Sequence, residues 1–281
     1  MAAISRRNSW LRLISAHWLL ILLAVLVITP SLNAQNEDFD EYKVRIDGFW
    51  FYSNPTVTMT GEGRNGFVDF DRDFGFDTYS TFSGKFDWKF TRKNHFYVAA
   101  SPFIQSRQVV LKRDVNFRGQ TFPAGLTTKG ELQAYLIAPG YQYDIIRRKR
   151  GHLGLAVQLD LFNTTGTLSA AAQVTNGVQQ AARSIQGSLL APIPVAGPEF
   201  RLYLTNSPRL FVEANVYGMY LFGYGNFVSS TGDLGLSLSK HFSINAGYQM
   251  GSRLNVNTNA SSRIGLSLTQ KGPIVGAEFS F

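Results

Sequence analysis

The chain ends in Gly272-Pro273-Ile274-Val275-Gly276-Ala277-Glu278-Phe279-Ser280-Phe281, a stretch in which apolar and polar side chains alternate. Counted back from Phe281, every second residue as far as Pro273 lies on one face of an extended chain and is apolar, whereas Ser280 and Glu278 lie on the other face. A period of two is typical of a β-strand with one apolar and one polar face. The stretch therefore predicts a strand that ends at the last residue of the chain.

The same alternation is clearest upstream in Thr78–Phe90. Phe82, Phe86 and Trp88 lie on one face of this segment, and charged residues such as Asp87 lie on the other. In a soluble β-sandwich the apolar face would have to pack against a second layer. In a closed barrel within a membrane it faces lipid instead, and the charged face lines the lumen. The second arrangement is predicted here.

Segments with this alternation recur along the chain. The first runs from Tyr42 to Thr60, with a kink predicted at Ser53-Asn54-Pro55 because proline cannot donate a hydrogen bond to a neighbouring strand. The later segments lie near 96–111, 127–146, 153–161, 192–204, 210–222, 227–239 and 242–250. Short basic turns alternate with longer loops, of which the longest, 163–189, has no clean period. The pattern predicts an antiparallel transmembrane β-barrel.

The number of strands depends on the end of the chain. Between Leu268 and Pro273 the apolar residues change from even to odd positions. Either a turn or a bulge at Gln270–Gly272 would explain this, because a bulge inserts one residue and reverses the facing. A bulge gives ten strands, with both termini and the short turns in the periplasm and the long loops outside, as is usual in such barrels. Twelve and eight strands are the alternatives.

The N-terminus has the parts of a secretory signal peptide. Arg6, Arg7 and Arg12 are basic, Leu19–Ile28 is an apolar run of ten residues, and Leu32–Ala34 offers a cleavage site. The run is shorter than the about 20 residues of a spanning helix, so a cleaved signal peptide over residues 1–34 is predicted, with an uncleaved anchor as the alternative. Because the chain has no cysteine, neither a lipid attachment site nor a disulfide is expected.

Composition fits a single domain after cleavage. Of 281 residues, 35–41 would form a short, mobile, acidic leader in the periplasm, and 42–281 would form the barrel. Aromatic residues make up 14% and glycines number 26, a mixture typical of β-barrels. The isoelectric point near 9.7 would suit nucleic-acid binding only if the basic side chains gathered on one surface. Many of them lie in separate short turns, so no nucleic-acid partner is expected.

Together, the signal peptide, the alternating strands and the terminal Phe281 resemble the Gram-negative outer-membrane β-barrels, in the broad group of small OmpA- and OmpW-like proteins. The resemblance implies an outer-membrane location reached by the Sec route, with outer-membrane lipid and lipopolysaccharide around the wall. In that group the assembly machinery reads a last strand that ends in Phe, so Phe279 and Phe281 are the implied assembly signal. No motif identifies a subfamily, and no functional residue is carried over.

The predicted facing of the strands places charges of both signs in the lumen. The inward set is Lys43, Arg45, Asp47, Lys85, Asp87, Lys89, Arg107, Glu131, Asp160, Glu199, Arg201, Glu213, Asp233 and Glu278. In the segment 127–146, the same facing turns Leu132 and Ala134 toward lipid and Tyr135 inward. Barrels of about eight strands are filled by their own side chains, whereas open pores have about sixteen. A structural barrel with a lumen filled by ion pairs is therefore predicted, with a narrow or gated channel for a small solute as the alternative.

Aromatic residues near the strand ends predict a girdle at the membrane interface. Trp88, Phe90 and Phe96 flank a short turn, and Trp50 is assigned to the same set. Tryptophan and other aromatic side chains favour this depth, where the ring meets both lipid tails and headgroups. The girdle supports the predicted membrane position without indicating a function.

A metal site is weakly indicated by Asp69, Asp71 and Asp73, whose carboxylates alternate in a loop. The run lacks the central glycine and the closing glutamate of an EF-hand loop, and Arg72 lies inside it. A solvated loop is the preferred interpretation, and no metal or other cofactor is expected.

Catalysis is judged from the histidines of the mature chain. His95, His152 and His241 each lie where a turn meets a strand, on the predicted periplasmic side. A catalytic base needs a partner within hydrogen-bond reach, and no serine lies at a matching depth. No enzymatic activity is expected, and an outer-membrane enzyme or a cell-surface adhesin is a weaker alternative.

Overall fold

The computed structural model describes residues 39–60, 67–175, 178–206, 209–221, 225–257 and 265–281. The predicted signal peptide lies outside the described residues. The elements within them follow in the order β1 (Val44–Ser53), β2 (Thr56–Thr60), β3 (Phe67–Asp69), α1 (Phe70–Phe74), β4 (Tyr79–Lys89), β5 (Asn94–Val110), β6 (Val115–Phe117), β7 (Gln120–Phe122), β8 (Thr127–Arg148), β9 (Gly151–Ala170), β10 (Gln173–Thr175), β11 (Val178–Gln180), β12 (Arg183–Tyr203), β13 (Arg209–Leu221), β14 (Gly225–Ser237), β15 (Phe242–Asn257) and β16 (Gly265–Ser280).

Ten strands form a closed antiparallel barrel. Their order around the wall is β1, β4, β5, β8, β9, β12, β13, β14, β15 and β16, and β16 pairs with β1. At the closing seam Ile46 lies opposite Phe279, and Asp47 lies opposite Glu278. The predicted ten-strand barrel is confirmed for the described part of the chain. We refer to the end that carries the short turns and both ends of the barrel chain as the periplasmic end.

The first wall strand is interrupted where the sequence predicts a kink. β1 stops at Ser53 and β2 starts at Thr56, and both pair with β16 in one continuous register, from Phe51 opposite Ile274 to Thr56 opposite Thr269. Asn54-Pro55 lies between the two segments. The missing N–H of the proline accounts for the gap in the strand.

The predicted bulge in β16 is wrong in its position. β16 is continuous. The register irregularity at this height lies in β15, where the three residue steps from Gln249 to Ser252 lie opposite the two steps from Gly272 to Gln270. The change in apolar parity has another cause. Leu266 and Leu268 point inward and are only 3% and 6% exposed, whereas the apolar residues nearer the end of the strand, such as Val275, point outward.

The outer face of the barrel is apolar. Ile46, Phe82, Val157 and Val275 are among the large apolar side chains exposed on the wall, with Phe82 60% exposed. Charged side chains of the same strands point into the lumen, as the paired residues Arg45 and Asp87 do. This distribution, apolar toward the surroundings and polar inside, is that of a transmembrane β-barrel. No helix in the described residues is long and apolar enough to cross a membrane.

The facing predicted for β8 is wrong. Leu132 and Ala134 are buried inside the barrel, whereas Tyr135 is exposed on the outer face. The alternation itself is present, but both faces of this part of β8 carry apolar side chains. The sequence pattern cannot distinguish an apolar residue that faces lipid from one that faces an apolar interior.

The extracellular end is larger than predicted. The stretch 163–189, predicted as an irregular break, contains the outer ends of β9 and β12, which pair from Leu202 opposite Gly151 up to Arg183 opposite Ala170. The two other long loops contain β3 with α1 and the β6–β7 hairpin. Asp69 caps α1 by accepting a hydrogen bond from the backbone N–H of Arg72, and Gly75 ends it with a φ of 63°, a conformation that favours glycine.

Candidate functional site

The periplasmic end of the lumen is closed by the segment Phe39–Tyr42, which precedes β1. The backbone N–H of Phe39 donates to the carbonyl of Lys149 at 2.9 Å, and its ring packs edge-on against Tyr203 with centroids 5.7 Å apart. Tyr42 is also buried. The prediction that residues 35–41 are a mobile leader is therefore wrong for residues 39–41, because these interactions fix them in the barrel mouth.

Asp40 is the centre of this closure and is 2% exposed. Its Oδ2 lies 2.8 Å from His152 Nδ1, 3.3 Å from Lys89 Nζ and 3.5 Å from Arg147 Nη1. Burial alone would raise the pKa of Asp40, but Lys89, His152 and Arg201 outweigh it and hold the pKa well below its usual value. The Asp40 carboxylate is thus held ionised by partners on four wall strands, β4, β8, β9 and β12.

A second set of contacts surrounds His95, which has no exposed surface. Nδ1 lies 3.2 Å from Asp87 Oδ1, and Nε2 lies 3.1 Å from Asp144 Oδ2. The Tyr42 hydroxyl donates to Asp87 Oδ2 at 3.3 Å. Because carboxylates face both ring nitrogens, the imidazole can bridge β4 and β8 by donating to each of them.

Deeper in the lumen, two arginines bind most of the carboxylates. Arg201 contacts Glu278 Oε1 at 2.6 Å and Glu213 Oε2 at 3.1 Å. Arg45 contacts Asp47 at 3.2 Å and lies 3.9 Å from Glu213. Guanidinium groups suit this position because their several N–H donors can bind more than one carboxylate at once. The two arginines therefore join strands on opposite arcs of the wall.

A third group lies beside these arginines. Lys85 Nζ is 3.4 Å from Glu199 Oε1 and 4.7 Å from the centroid of the Tyr97 ring. The Tyr217 hydroxyl donates to Glu199 Oε2 at 2.5 Å, and the Tyr97 hydroxyl donates to Gln158 at 3.0 Å. These side chains extend the polar filling toward the middle of the barrel.

The polar layer contains carboxylates that the arginines and lysines do not reach. Asp160 and Asp233 are buried, and among the described residues neither forms an ion pair. Asp233 lies opposite Glu213 in the β13–β14 register. Like charges in directly opposite positions destabilise a sheet. The polar layer is thus more acidic than the ion pairs alone require.

The extracellular half of the lumen has an apolar filling. Phe70 and Phe74 of α1 pack with Phe76, with ring centroids 5.1 to 6.4 Å apart. The β6–β7 hairpin adds its own buried side chains. The apolar core further includes Val57, Met59, Val68, Phe103, Leu111, Val115, Phe117, Phe122, Leu126, Leu132, Ala134, Phe162, Leu168, Ala170, Leu189, Ala191, Ile193, Val195, Leu266 and Leu268. This core and the polar layer lie one above the other in the same lumen.

Eleven of the predicted lumen charges are buried or largely buried inside the barrel, namely Arg45, Asp47, Lys85, Asp87, Lys89, Asp160, Glu199, Arg201, Glu213, Asp233 and Glu278. Lys43, Glu131 and Arg107 differ from the prediction. Lys43 is exposed at the barrel mouth, before β1 begins. Glu131 has outward parity in β8 and pairs with Lys129 at 2.9 Å, and Arg107 pairs with Asp77 at 2.8 Å on the surface.

Sequence reasoning missed the residues that close the periplasmic mouth. The predicted leader contains Asp40, and Asp144, Arg147 and His152 lie in or beside a predicted turn. In the structure β8 and β9 continue to that turn, so inward residues close to it still point into the lumen. Extending the period-two pattern of 153–161 back to the turn would have identified His152, whereas the facing predicted for 127–146 turns Asp144 outward.

The weak metal candidate has other partners. Asp69 caps α1, Asp71 Oδ1 accepts the backbone N–H of Val57 at 3.0 Å, and Asp73 binds Arg113 at 2.6 Å. Burial raises the pKa of Asp71. Among the described residues, no group of histidine and carboxylate side chains is arranged to hold a metal ion. The three aspartates instead position α1 above the core.

The predicted girdle residues do not form one ring. Trp88 and Phe96 are directly opposite each other near the periplasmic end, and Phe90 lies 5.6 Å from Trp88 and 6.5 Å from Tyr141. All of them are exposed on the outer face. Trp50 is also exposed but lies opposite Phe82, six residues along β1 from the position opposite Trp88. Trp50 therefore lies deeper in the wall than the girdle.

The predicted assembly residues lie at the closing seam. The carbonyl of Phe281 accepts hydrogen bonds from the N–H groups of Lys43 at 2.7 Å and Val44 at 3.0 Å. The Phe279 ring is exposed and packs on Phe242 with centroids 5.0 Å apart. Both rings are on the outside of the barrel.

Comparisons with known proteins match the fold only. No protein-family model and no curated protein matches the chain. The chain is similar to the outer membrane protease OmpT from Escherichia coli, with 11% identity, a TM-score of 0.47 and coverage of 89% of this chain and 99% of that one. It is similar to the translocator domain of the autotransporter NalP from Neisseria meningitidis, with 11% identity, a TM-score of 0.44 and coverage of 95% and 97%. The Ail protein of Yersinia pestis is 10% identical, with a TM-score of 0.33 and coverage of 83% and 99%. At these identities no residue role is transferred.

Proposed function

We propose that this protein is a structural outer-membrane β-barrel whose lumen is closed by its own side chains. The observation that carries the proposal is the filling of the lumen at successive depths. The Asp40 cluster occupies the periplasmic mouth, the Arg45 and Arg201 pairs occupy the middle, and the core around Phe70 occupies the extracellular half. A barrel of ten strands leaves little space beyond such side chains.

The polar filling supports closure because its cations are paired with buried carboxylates. Arg45, Arg201 and Lys85 each bind buried carboxylates from other strands. Ions in a tight lumen are costly unless they are paired and hydrogen-bonded. Opening a water-filled path would require these pairs to separate and the apolar core above them to move. A steady pore is therefore not expected.

We also propose the partners implied by the wall. The apolar outer face is suited to outer-membrane lipid, with lipopolysaccharide around its extracellular half. The strand that ends at Phe281 is suited to recognition by the outer-membrane assembly machinery. Nucleic acid is not proposed as a partner, because the basic side chains are distributed over separate turns and ion pairs.

No enzymatic activity is proposed. His95 and His152 are buried in the ion cluster, and both ring nitrogens of His95 face carboxylates. A general base must reach a substrate proton directly or through one water. Neither ring has such access while Phe39–Tyr42 occupies the mouth. His241 is exposed, but its Nδ1 is 2.7 Å from the carbonyl oxygen of Ser280.

A gated path for a small solute is the second candidate. Asp47 Oδ1, Asp233 Oδ1 and Asn245 Oδ1 have no hydrogen-bond partner among the described residues, although all three side chains are buried. Buried acceptors of this kind are normally satisfied by water or a ligand. A gated channel would use such groups once the mouth segment moved. The conductance of the purified protein separates the two candidates.

Planar-bilayer recording of the purified mature protein tests the proposed closure. We expect little or no steady conductance at neutral pH under either sign of applied voltage. In parallel, the protein is inserted into vesicles of the same lipid, and resistance of the folded barrel to protease verifies insertion. Large, stable, ohmic conductance would overturn the closed lumen and favour the channel.

A further inference from the structure

The outer wall carries an apolar groove of about 540 Å³ that crosses five strands. Its line follows one register, from Phe96 to Tyr141, Val157, Ala196 and Gly218, each directly opposite the next. Four strand spacings of about 4.8 Å give it a length of about 19 Å. Bulky side chains form its beginning, and small residues form its far end.

The groove rises from the interface toward the membrane centre. Phe96 is two residues from the periplasmic start of β5, whereas Gly218 is nine residues from that of β13. One leaflet contributes about half of a hydrocarbon core that is about 30 Å thick. The groove therefore starts in the periplasmic leaflet and rises to about the membrane centre, over a length comparable with the depth of that leaflet.

At its far end the groove reaches an interruption of the β12–β13 ladder. Ala196 lies opposite Gly218, whereas its neighbours Val195 and Gly197 form no ladder pair with β13 in the described part of the chain. Pro194 supplies no N–H for a ladder at this point. Val195 and Met219, which have inward parity, contribute to the groove lining. At the interrupted ladder, apolar side chains of inward parity therefore form part of the groove floor.

A cation lies at the interfacial end. Lys93 is exposed in the β4–β5 turn, and its Nζ lies 5.8 Å from the centroid of the Tyr143 ring on the outer face. Tyr143 is two residues from Tyr141 on the same face of β8. An ammonium group next to an apolar groove at headgroup depth complements a phosphate joined to an acyl chain.

We propose that this groove is a binding site for one phospholipid of the periplasmic leaflet. An acyl chain lies along the register line from Phe96 to Gly218, and the phosphate binds Lys93. The site rests on insertion of the barrel in the membrane and not on whether the lumen conducts. The occupant is a phospholipid and not lipid A, because the groove and its cation are on the periplasmic side.

The test counts phospholipids on the protein by native mass spectrometry after extraction from membranes into detergent. The wild type is expected to retain one phospholipid. Ala196→Phe fills the groove from an exposed outer position and should reduce retention at least fivefold. Its matched control is Ala246→Phe, an exposed outward alanine of β15, which should behave as the wild type.

A second pair of variants tests the headgroup. Lys93→Gln should weaken retention, whereas Lys112→Gln, which removes an exposed charge at the extracellular end, should not. Folding of each variant is checked by its heat-dependent gel migration. Absence of bound lipid on the wild type, equal retention by Ala196→Phe and Ala246→Phe, or retention of lipid A would overturn the proposal. Bilayer conductance reports the state of the lumen separately.

Discussion

At the scale of single residues, the odd or even position of a residue in a strand predicts whether its side chain points to the lumen or to lipid. Outside the strands this rule gives no prediction. Asp87 and Glu213 lie in the lumen because their strands alternate without interruption. Asp40 could not be placed in this way, since it precedes the first strand and is held by charges from distant parts of the chain. Which carboxylate meets which cation depends on the closure of the barrel, and a sequence pattern does not encode that closure.

Two buried aspartates should respond in opposite ways to neutralisation. Asp87 contacts His95 and lies 3.9 Å from Arg45, so Asp87→Asn leaves buried cations without their partner. We expect its free energy of unfolding to fall by about 3–5 kcal/mol. Asp233→Asn removes a charge opposite Glu213 and should change stability by less than about 1 kcal/mol, toward stabilisation. Urea unfolding in lipid vesicles measures both, and equal losses would contradict the assignment of ion pairs.

Acid should release the mouth segment through Asp40. Because the folded pKa of Asp40 is lowered, its contribution is complete above the ordinary value of about 4 and is lost as the pH falls through the folded pKa. The protection factor of the Phe39 amide, which corrects its exchange rate for the pH dependence of intrinsic exchange, should therefore be high at neutral pH and fall only below about pH 4. Asp40→Asn should exchange faster at neutral pH and lose this acid response. The exposed neighbour Glu41→Gln is the control, and an unchanged profile in Asp40→Asn would exclude the role.

At the scale of elements, the sequence predicts where most strands lie. It does not predict whether each face of a strand contacts lipid, a polar interior or an apolar interior. β4 turns its apolar face to lipid and its charges inward, as the pattern indicates. β8 and β16 carry apolar side chains on their inward faces in their extracellular halves, because these side chains belong to the core that includes α1. A period of two reports alternation, but it does not reveal whether the interior is polar. The helix and the β6–β7 hairpin, which make the interior apolar, lie in segments that the sequence pattern predicts as loops.

Phe281 should be needed for closure of the barrel. Its deletion removes the two hydrogen bonds that its carbonyl accepts from Lys43 and Val44, together with the bond from its own N–H to Val44. We expect the deleted chain to accumulate outside the outer membrane while still being cleaved after Ala34, as N-terminal sequencing would establish. Phe281→Ser keeps the backbone bonds and tests the ring alone.

The matched control for the ring is Phe90→Ser, another exposed aromatic residue near the periplasmic end. Defective assembly of Phe281→Ser but not of Phe90→Ser would assign recognition to the terminal ring. Normal insertion of the chain that lacks Phe281 would show that the last residue is dispensable for closure.

At the scale of the whole molecule, the lumen is closed by different physical means at its two ends. Ion pairs hold the periplasmic mouth and the middle, and these respond to pH and to single charge changes. The apolar core of the extracellular half contains Phe70, Phe74 and Leu266, and it depends on burial instead. Because the two fillings share no side chains, loss of one leaves the other in place.

This arrangement predicts that removal of the mouth segment does not open the barrel. A mature chain that lacks residues 35–41 loses Asp40, so Lys89 and His152 lose a carboxylate partner and some stability is lost with it. The pairs of Arg201 and the core around Phe70 remain in series behind the mouth, and each is sufficient to exclude a continuous water path. We therefore expect the truncated barrel to show no steady conductance in planar bilayers, while its mouth becomes accessible to periplasmic-side protease. Conductance that appears only on truncation would instead identify Phe39–Tyr42 as the gate of a channel, because it would mean that the layers behind it are permeable.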